Sequence, residues 1–475
     1  MQIPKDGQTR EAVLAALQQL KAYDMDWKSG KVWAYVYDPG EETRQVVKDA
    51  YNLFLTENCL DPSVFPSILK LETDVVRMVA DLLRGDENVV GHVTTGGTES
   101  IMLAVKTARD RARAERPEIT QPEIVLPKTA HASFHKAAHY LGLKTVVTPF
   151  DPVTYRADVG AMRDAITENT ILLVGSAPNY SQGVIDPIEE IGALAQEKGV
   201  MFHVDACVGG IHLSFMRKLG YLLPAFDFSV PGVTSMSADM HKYGYAAKGA
   251  SVILYKDKSL RRYQIYASTD TTAYTLINPT VLSSKSGGPL AGAWAILNYL
   301  GEAGYEQIVQ SVQEATRCLI EGINDIEDLY ILGEPDMCMF SIASDTINVY
   351  QLADEMKKRD WYLQGQFSTP TSPRNLHISI NQGTVAKVDA MLTDLRECVR
   401  IVKQTPPLDT AAIRVAIADL LQNPNPDDFE RLAVMAGIQG TQLPDGMALI
   451  NEVLDALPDE LANLLLVNYF NDLYV

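Results

Sequence analysis

Two stretches decide the fold: MFHVDACVGG (Met201–Gly210) and SVPGVTSMSADMHKYGYAAKGASVILY (Ser229–Tyr255). Each opens on a β-type apolar run, Met201–Asp205 and Ser229–Thr234, and the second closes on another, Ala250–Tyr255. Working upstream, similar runs stand at Val89–Thr94, Glu123–Leu126, Thr145–Pro149 and Thr170–Gly175. Amphipathic stretches of helical period separate them: Glu99–Ala114, Ser133–Leu141, Val159–Thr167 and Pro187–Gly199. Alternation of this kind over 72–255 marks an α/β fold, a mostly parallel sheet covered by helices on both faces. Ligands of such sheets bind beyond the carboxyl ends of the strands.

Past Gly304 the texture changes. A long helical stretch (Tyr305–Ile326) leads to short strands near Tyr330–Leu332 and Leu376–Ile380, set among helical runs. The Pro-rich segments Gln404–Pro407 and Asn423–Asp427 set off a last helical region, with helices over 445–457 and 460–474. The expected organisation is an N-terminal arm (1–70), a large domain (71–315) and a smaller α+β C-terminal domain with a helical tail (316–475). With 475 residues, 47% of them hydrophobic, the chain can fill more than one core. A net charge of −19 argues against nucleic acid, because phosphate backbones are held by clustered Lys and Arg. The five cysteines form no CxxC pair, and no HExxH or comparable cluster points to a metal. Neither a signal peptide nor a transmembrane stretch is visible. A soluble, cytoplasmic protein with reduced thiols is expected.

Four local patterns carry chemistry. Ser237-Ala-Asp-Met-His-Lys242 follows a strand, and its lysine can attack an aldehyde if burial and neighbouring cations (His241, Lys248) hold it unprotonated. Asp205 ends its own strand, where a carboxylate can keep a pyridine nitrogen protonated and the ring ready to accept electrons. Thr94-Thr-Gly-Gly-Thr98-Glu-Ser closes one strand and opens a helix. Gly96 and Gly97 let backbone N–H groups approach a phosphate there, and Thr98 and Ser100 add hydroxyls. His131, in His131-Ala-Ser-Phe-His-Lys136, can stack on a ring. Taken singly, each has a plainer reading: a surface lysine, a capping aspartate, a helix-capping turn, a structural histidine. Together they are the parts of a pyridoxal 5′-phosphate site.

The runs HVDACVGG and FDFSVPGVTSMSADMHKYGYAAKGASVILYKD resemble the sphingosine-1-phosphate lyase branch of the group II pyridoxal-phosphate decarboxylase superfamily. So do TTGGTESI, AHASFHKAAHYLGLK, Gly183–Ile191, Ser284 with Gly287-Gly288, and AVMAGIQG (433–440). The likeness runs from about Trp27 to Tyr474. It implies a fold-type I homodimer with active sites shared between subunits, lacking the family's N-terminal membrane anchor. It also implies that Lys242 is the Schiff-base lysine, that Asp205 meets the pyridinium nitrogen and that His131 stacks on the ring. Gly97, Thr98 and His241 would hold the cofactor phosphate, joined by Ser284 from the second subunit. Lys248 resembles a lysine that binds a substrate's phosphate, and Tyr37, in KVWAYVY, an active-site tyrosine.

Departures from the family pattern gather among residues expected to face the substrate. The family's N-P-L-H-P-D reads Asn58-Cys-Leu-Asp61-Pro-Ser63, so a histidine gives way to an aspartate. Trp33-Ala34 replaces Ser-Gly, Asp270-Thr271-Thr-Ala-Tyr274 replaces D-W-x-G-G, and Lys285 stands where the family has an arginine. Asp61 disfavours an anionic ligand, whereas Lys248 and Lys285 would neutralise one. The leading expectation is a lyase acting on a small-molecule amine. It would split a 2-amino-3-hydroxy compound, phosphorylated or not, into an aldehyde and an amine. The alternative is an amino-acid decarboxylase, for which Arg374 is the best candidate reader of an α-carboxylate, although a surface loop arginine is its plainer reading. A remoter one is a binding protein on an inactive scaffold, against which the joint presence of Lys242 and Asp205 argues.

Overall fold

The computed structural model of the chain describes residues 2–272, 274–422 and 446–474. At its centre lies a seven-stranded sheet of β1 (Val90–Thr94), β2 (Glu123–Pro127), β3 (Lys144–Thr148), β4 (Thr170–Ser176), β5 (Met201–Asp205), β6 (Ser235–Ala238) and β7 (Ser251–Tyr255). Its order is β1-β7-β6-β5-β4-β2-β3. Neighbours from β3 through β6 run parallel, and β7 is antiparallel to both β6 and β1. The apolar runs of β4 and β7 are buried from end to end, as strands covered on both faces must be.

Three helices precede the sheet: α1 (Arg10–Leu20), α2 (Glu41–Leu53) and α3 (Pro66–Leu82). The crossovers carry α4 (Gly97–Glu115), α5 (Ser133–Leu141), α6 (Val159–Ala165), α7 (Ile188–Lys198) and α8 (Gly209–Lys218). After β7 come α9 (Lys258–Arg261), a hairpin of β8 (Tyr266–Ser268) and β9 (Leu276–Asn278), and α10 (Gly288–Asn324). α10 starts well before the expected Tyr305 and breaks at Gly301, whose φ of 57° departs from the helix.

The second sheet is antiparallel, ordered β10 (Tyr330–Ile331), β11 (Met339–Ala343), β13 (Asn375–Ser379), β12 (Gln364–Gln366). α11 (Val349–Lys357) and α12 (Val388–Gln404) accompany it. Helix Ala448–Ala456 is pinned to this part of the chain. Asp354 accepts from the Met447 and Ala448 N–H groups at 2.7 and 3.0 Å, and Asp455 accepts from the Ser368 hydroxyl at 3.0 Å. The family-like run 433–440 and the Pro-rich segment 423–427 lie outside the described residues.

Two expectations need correction. Ser229–Thr234 is a turn, and the strand begins at Ser235. Pro231 lacks an N–H, and Gly232 takes a φ of 102°, with a Cβ there only 2.2 Å from Gly192 O. Trp33 does not face a substrate. It is fully buried, its indole N–H donating to Gly30 O at 3.0 Å and its ring meeting Trp361 edge-on at 6.0 Å.

The buried histidines make stability sensitive to acid. Burial pushes His203 and His377 from 6.5 down to about 4. Between those values the unfolded chain takes up protons that the folded chain refuses, so stability falls as pH falls. Each residue is expected to remove about 1.4 kcal/mol per pH unit across that window. Denaturant titrations at pH 7 and pH 5 measure it, and equal midpoints would show that these rings titrate normally.

Candidate active site

The carboxyl ends of β1, β2, β5 and β6 meet at one cavity of about 390 Å³. Where β1 turns into α4, the Thr94 and Ser100 hydroxyls lie 2.7 Å apart, and Ser100 reaches Ser251 of β7 at 2.8 Å. A Cβ on Gly97 would sit 2.8 Å from both Cys207 Sγ and Asp239 Oδ2. Only glycine fits, and the first N–H groups of α4 stay at the cavity wall, where an anion is favoured.

Asp205 closes β5. Its Oδ1 accepts from Cys207 N–H at 3.0 Å and from the Ser237 hydroxyl at 3.3 Å. His131 follows β2, and its Nδ1 accepts from Ser133 N–H at 3.2 Å, which leaves the ring proton on Nε2. Ser133 Oγ lies 2.9 Å from His131 Nδ1 and 2.9 Å from Thr98 Oγ1, tying the imidazole to the glycine turn. Burial lowers the His131 pKa, with Asp205 pulling the other way.

Lys242 ends the turn after β6. Its Nζ lies 2.9 Å from Asp239 Oδ2, an ion pair with a carboxylate that is 1% exposed. The expectation that neighbouring cations lower Lys242 is overturned. Burial does push the ammonium down, but the Asp239 carboxylate pushes it up and the net shift is upward. His241 Nε2 lies 3.5 Å from the same carboxylate, while burial pushes this histidine down to about 4. Lys248 donates to His241 O at 3.1 Å and stands 4.8 Å above the Tyr37 ring.

Gly97, Thr98, His131, Asp205, His241 and Lys242 therefore line one space, with Tyr37 and Lys248 beside it. Ser284, Lys285 and Asp61 do not line it. Lys285 donates to Val93 O at 3.0 Å and to Thr280 Oγ1 at 3.3 Å. Asn58 donates to Ser284 Oγ at 3.4 Å, and Asp61 accepts from Ser63 at an exposed turn. Arg374 pairs with Glu452 and crosses the Tyr350 ring at 5.7 Å, so it anchors the C-terminal helix and reads no carboxylate in the cavity. Asp239, Cys207 and Tyr180 line the cavity without having been anticipated. The signal for Asp239 was present, three residues before Lys242 in a turn. Tyr180 comes from the loop after β4 and donates to Gln364 of the small sheet at 2.7 Å, a pairing that no local motif announces.

These groups fit pyridoxal phosphate. An amine, a carboxylate and a buried imidazole surround a space flanked by a helix N-terminus. Asp239 Oδ1 is buried there without a hydrogen-bond partner among the described residues. Residues 2–342 match the family model of the pyridoxal-dependent decarboxylase conserved domain. The sphingosine-1-phosphate lyase of Arabidopsis thaliana is 41% identical over 402 residues, spanning 83% of this chain and 73% of that protein.

The chain belongs to the sphingosine-1-phosphate lyase branch of the pyridoxal-dependent decarboxylase family.

As a member of that branch it is a pyridoxal-phosphate enzyme with a fold-type I architecture. The Saccharomyces cerevisiae lyase is 37% identical over 463 residues, covering 96% of this chain and 75% of the relative. A solved sphingosine-1-phosphate lyase from Burkholderia pseudomallei superposes with a TM-score of 0.81 at 35% identity, over 90% of this chain and 98% of that one. Glutamate decarboxylase of Lactobacillus brevis shares the fold alone, with a TM-score of 0.76 at 19% identity. Residues 411–472 match the C-terminal putative HTH domain of pyridoxal-dependent enzymes. In this branch member that stretch has two arginines, no lysine and ten acidic residues, a charge balance opposed to phosphate backbones. No helix among the described residues is long and apolar enough to cross a membrane.

Proposed function

We propose that the chain cleaves the bond between the amine-bearing and hydroxyl-bearing carbons of a phosphorylated 2-amino-3-hydroxy compound, giving an aldehyde and an amine phosphate. Sphingosine 1-phosphate, the compound in its relatives' names, is the first substrate to offer. The observation that carries this reading is Lys248. It is an exposed ammonium beside the cavity, donating to His241 O, with no carboxylate within ion-pair distance among the described residues. A phosphate dianion arriving there would meet a cation that no carboxylate already neutralises.

When bound, pyridoxal phosphate supplies an aldehyde for the amine and a ring that accepts the electron pair of the broken bond. Gly97 and Thr98 at the start of α4, with His241, would take its phosphate, Asp205 its ring nitrogen and His131 its ring face. Lys242, at the wall of the same space, would be the group placed to move a proton at the reacting carbons. Burial pushes the Tyr37 phenol up to about 12, so it stays protonated and donates to the substrate's hydroxyl or phosphate. The decarboxylase reading loses Arg374 to Glu452. Ser284 and Lys285 sit outside their own chain's cavity, which supports a homodimer in which Ser284 serves the neighbouring subunit. Free thiols at Cys59, Cys207, Cys318, Cys338 and Cys398 suit a cytoplasmic location.

Assays for aldehyde and for carbon dioxide, run on the amino-alcohol phosphate and on plain amino acids, test the reaction. Aldehyde from the phosphorylated compound is expected, and carbon dioxide from an amino acid would overturn the reading. Lys248→Met is expected to raise KM for the phosphorylated substrate about tenfold or more, the value of one charged hydrogen bond. It should change KM for the unphosphorylated amino alcohol far less. Equal effects on both would remove Lys248 from phosphate recognition.

A further inference from the structure

The parallel pairing of β5 with β6 sets His203 opposite Ser235 and Asp205 opposite Ser237. Residues two apart on a strand share a face, so these side chains form two adjacent rows. All four are buried in strands whose neighbours are apolar, where four polar groups on one face call for an explanation. His203 Nδ1 lies 2.9 Å from Ser235 Oγ, and its Nε2 lies 3.2 Å from Ser237 Oγ. Ser237 Oγ lies 3.3 Å from Asp205 Oδ1.

The carboxylate sets the direction of every bond. Ionised, Asp205 only accepts, so the Ser237 hydroxyl donates to it. That hydroxyl has one proton, so its oxygen accepts from His203 Nε2–H and from the Cys207 thiol at 3.2 Å. With its proton on Nε2, His203 accepts at Nδ1 from the Ser235 hydroxyl. Three bonds thus point the same way and polarise one another toward Asp205. Burial keeps His203 neutral, so the chain delivers a polarised donor and no second charge.

We propose that Ser235, His203 and Ser237 form a hydrogen-bond relay that orients the Asp205 carboxylate, making His203 and Ser237 positioning residues for the electron-accepting ring of the cofactor. The inference rests on the assignment of Asp205 to the ring nitrogen. Oδ1 is occupied by Ser237 and by Cys207 N–H, which leaves Oδ2 for a ring N–H. Donation from Ser237 and from Cys207 N–H fixes the plane of the carboxylate and so the direction from which Oδ2 would meet a ring N–H. Without the relay Oδ2 loses its fixed aim at the ring nitrogen and the ring becomes a weaker electron acceptor. The other titratable groups around Asp205 are His131 from the loop after β2, Asp239 and Lys242 after β6, and the adjacent Cys207. Among the described residues the charge acting on His203 is that of Asp205.

The test uses holoenzyme loaded with pyridoxal phosphate carrying 15N in its ring, read by NMR, beside kcat, KM and the melting point of cofactor-free protein. In Ser237→Ala the ring nitrogen is expected to move toward the neutral-pyridine position, with kcat down about tenfold and KM little changed. Ser237→Thr keeps a hydroxyl and should restore both. Ser235→Ala, one link further out, should shift them in the same direction by less. Serine variants that fold, bind cofactor and leave the resonance at its wild-type position overturn the relay, as does a lowered melting point without any change in the resonance. Asp205→Asn separates the two layers. If it leaves the resonance unmoved, the assignment of Asp205 itself fails; if it moves the resonance while the serine variants do not, only the relay fails.

Discussion

Lys242→Ala is expected to lose at least about 10³-fold in turnover, as enzymes do when the residue that bonds covalently to the reaction centre is removed. The lysine is placed by the turn after β6, at the wall shared with Asp205, His131 and the glycine turn. Among the described residues no other lysine lines that cavity. Alanine also strips Asp239 of its ion pair, so some loss of stability accompanies the loss of activity. Lys242→Arg separates the two effects. A guanidinium keeps the charge beside Asp239 but never deprotonates, so it cannot bond to an aldehyde. Turnover is expected to fall as far as in the alanine variant, while the melting point stays closer to wild type. An active Lys242→Arg enzyme would mean that another amine carries the cofactor.

Asp239→Asn is expected to be the most damaging change outside the covalent residue. Asp239 is the one carboxylate within 4.0 Å of Lys242 among the described residues. Removing one partner of a buried pair costs about 3–5 kcal/mol, because the other charge is left in a medium that disfavours it. An amine whose folded pKa is raised adds stability at every pH below its unfolded value of about 10.4. The contribution is therefore fully present at pH 7, where denaturant unfolding of wild type and variant measures it. The variant should also capture pyridoxal phosphate at lower pH than wild type. With the carboxylate gone, burial and the nearby Lys248 push Lys242 down, and more of it is the free amine that reacts. An unchanged pH profile of capture would show that Asp239 does not govern this lysine.

Much of the sheet was legible because its strands are continuous apolar runs between helical periods. β2, β4 and β5 fall within one residue of the expected bounds. β6 was misplaced because Val230 and Val233 look like strand residues while Pro231-Gly232 between them imposes a turn. The candidate site was legible where chemistry is local: Lys242 beside His241, Asp205 at a strand end, two glycines before a helix. What was not legible depends on distance along the chain. Arg374 meets Glu452 78 residues later, and Trp33 packs on Trp361 far downstream. Neither contact has a local signature, so the arginine read as a surface loop residue or a candidate carboxylate reader, never as an ion-pair anchor, and the core tryptophan as a pocket change. The relay behind Asp205 needs the register of two strands, which spacing alone does not supply.

The most direct test is to reduce the holoenzyme with borohydride, digest it and map the pyridoxyl phosphate mass among its peptides. A single adduct on Lys242 is expected. An adduct on Lys248, Lys285 or any other amine, or none at all, would contradict the assignment on which the site is built.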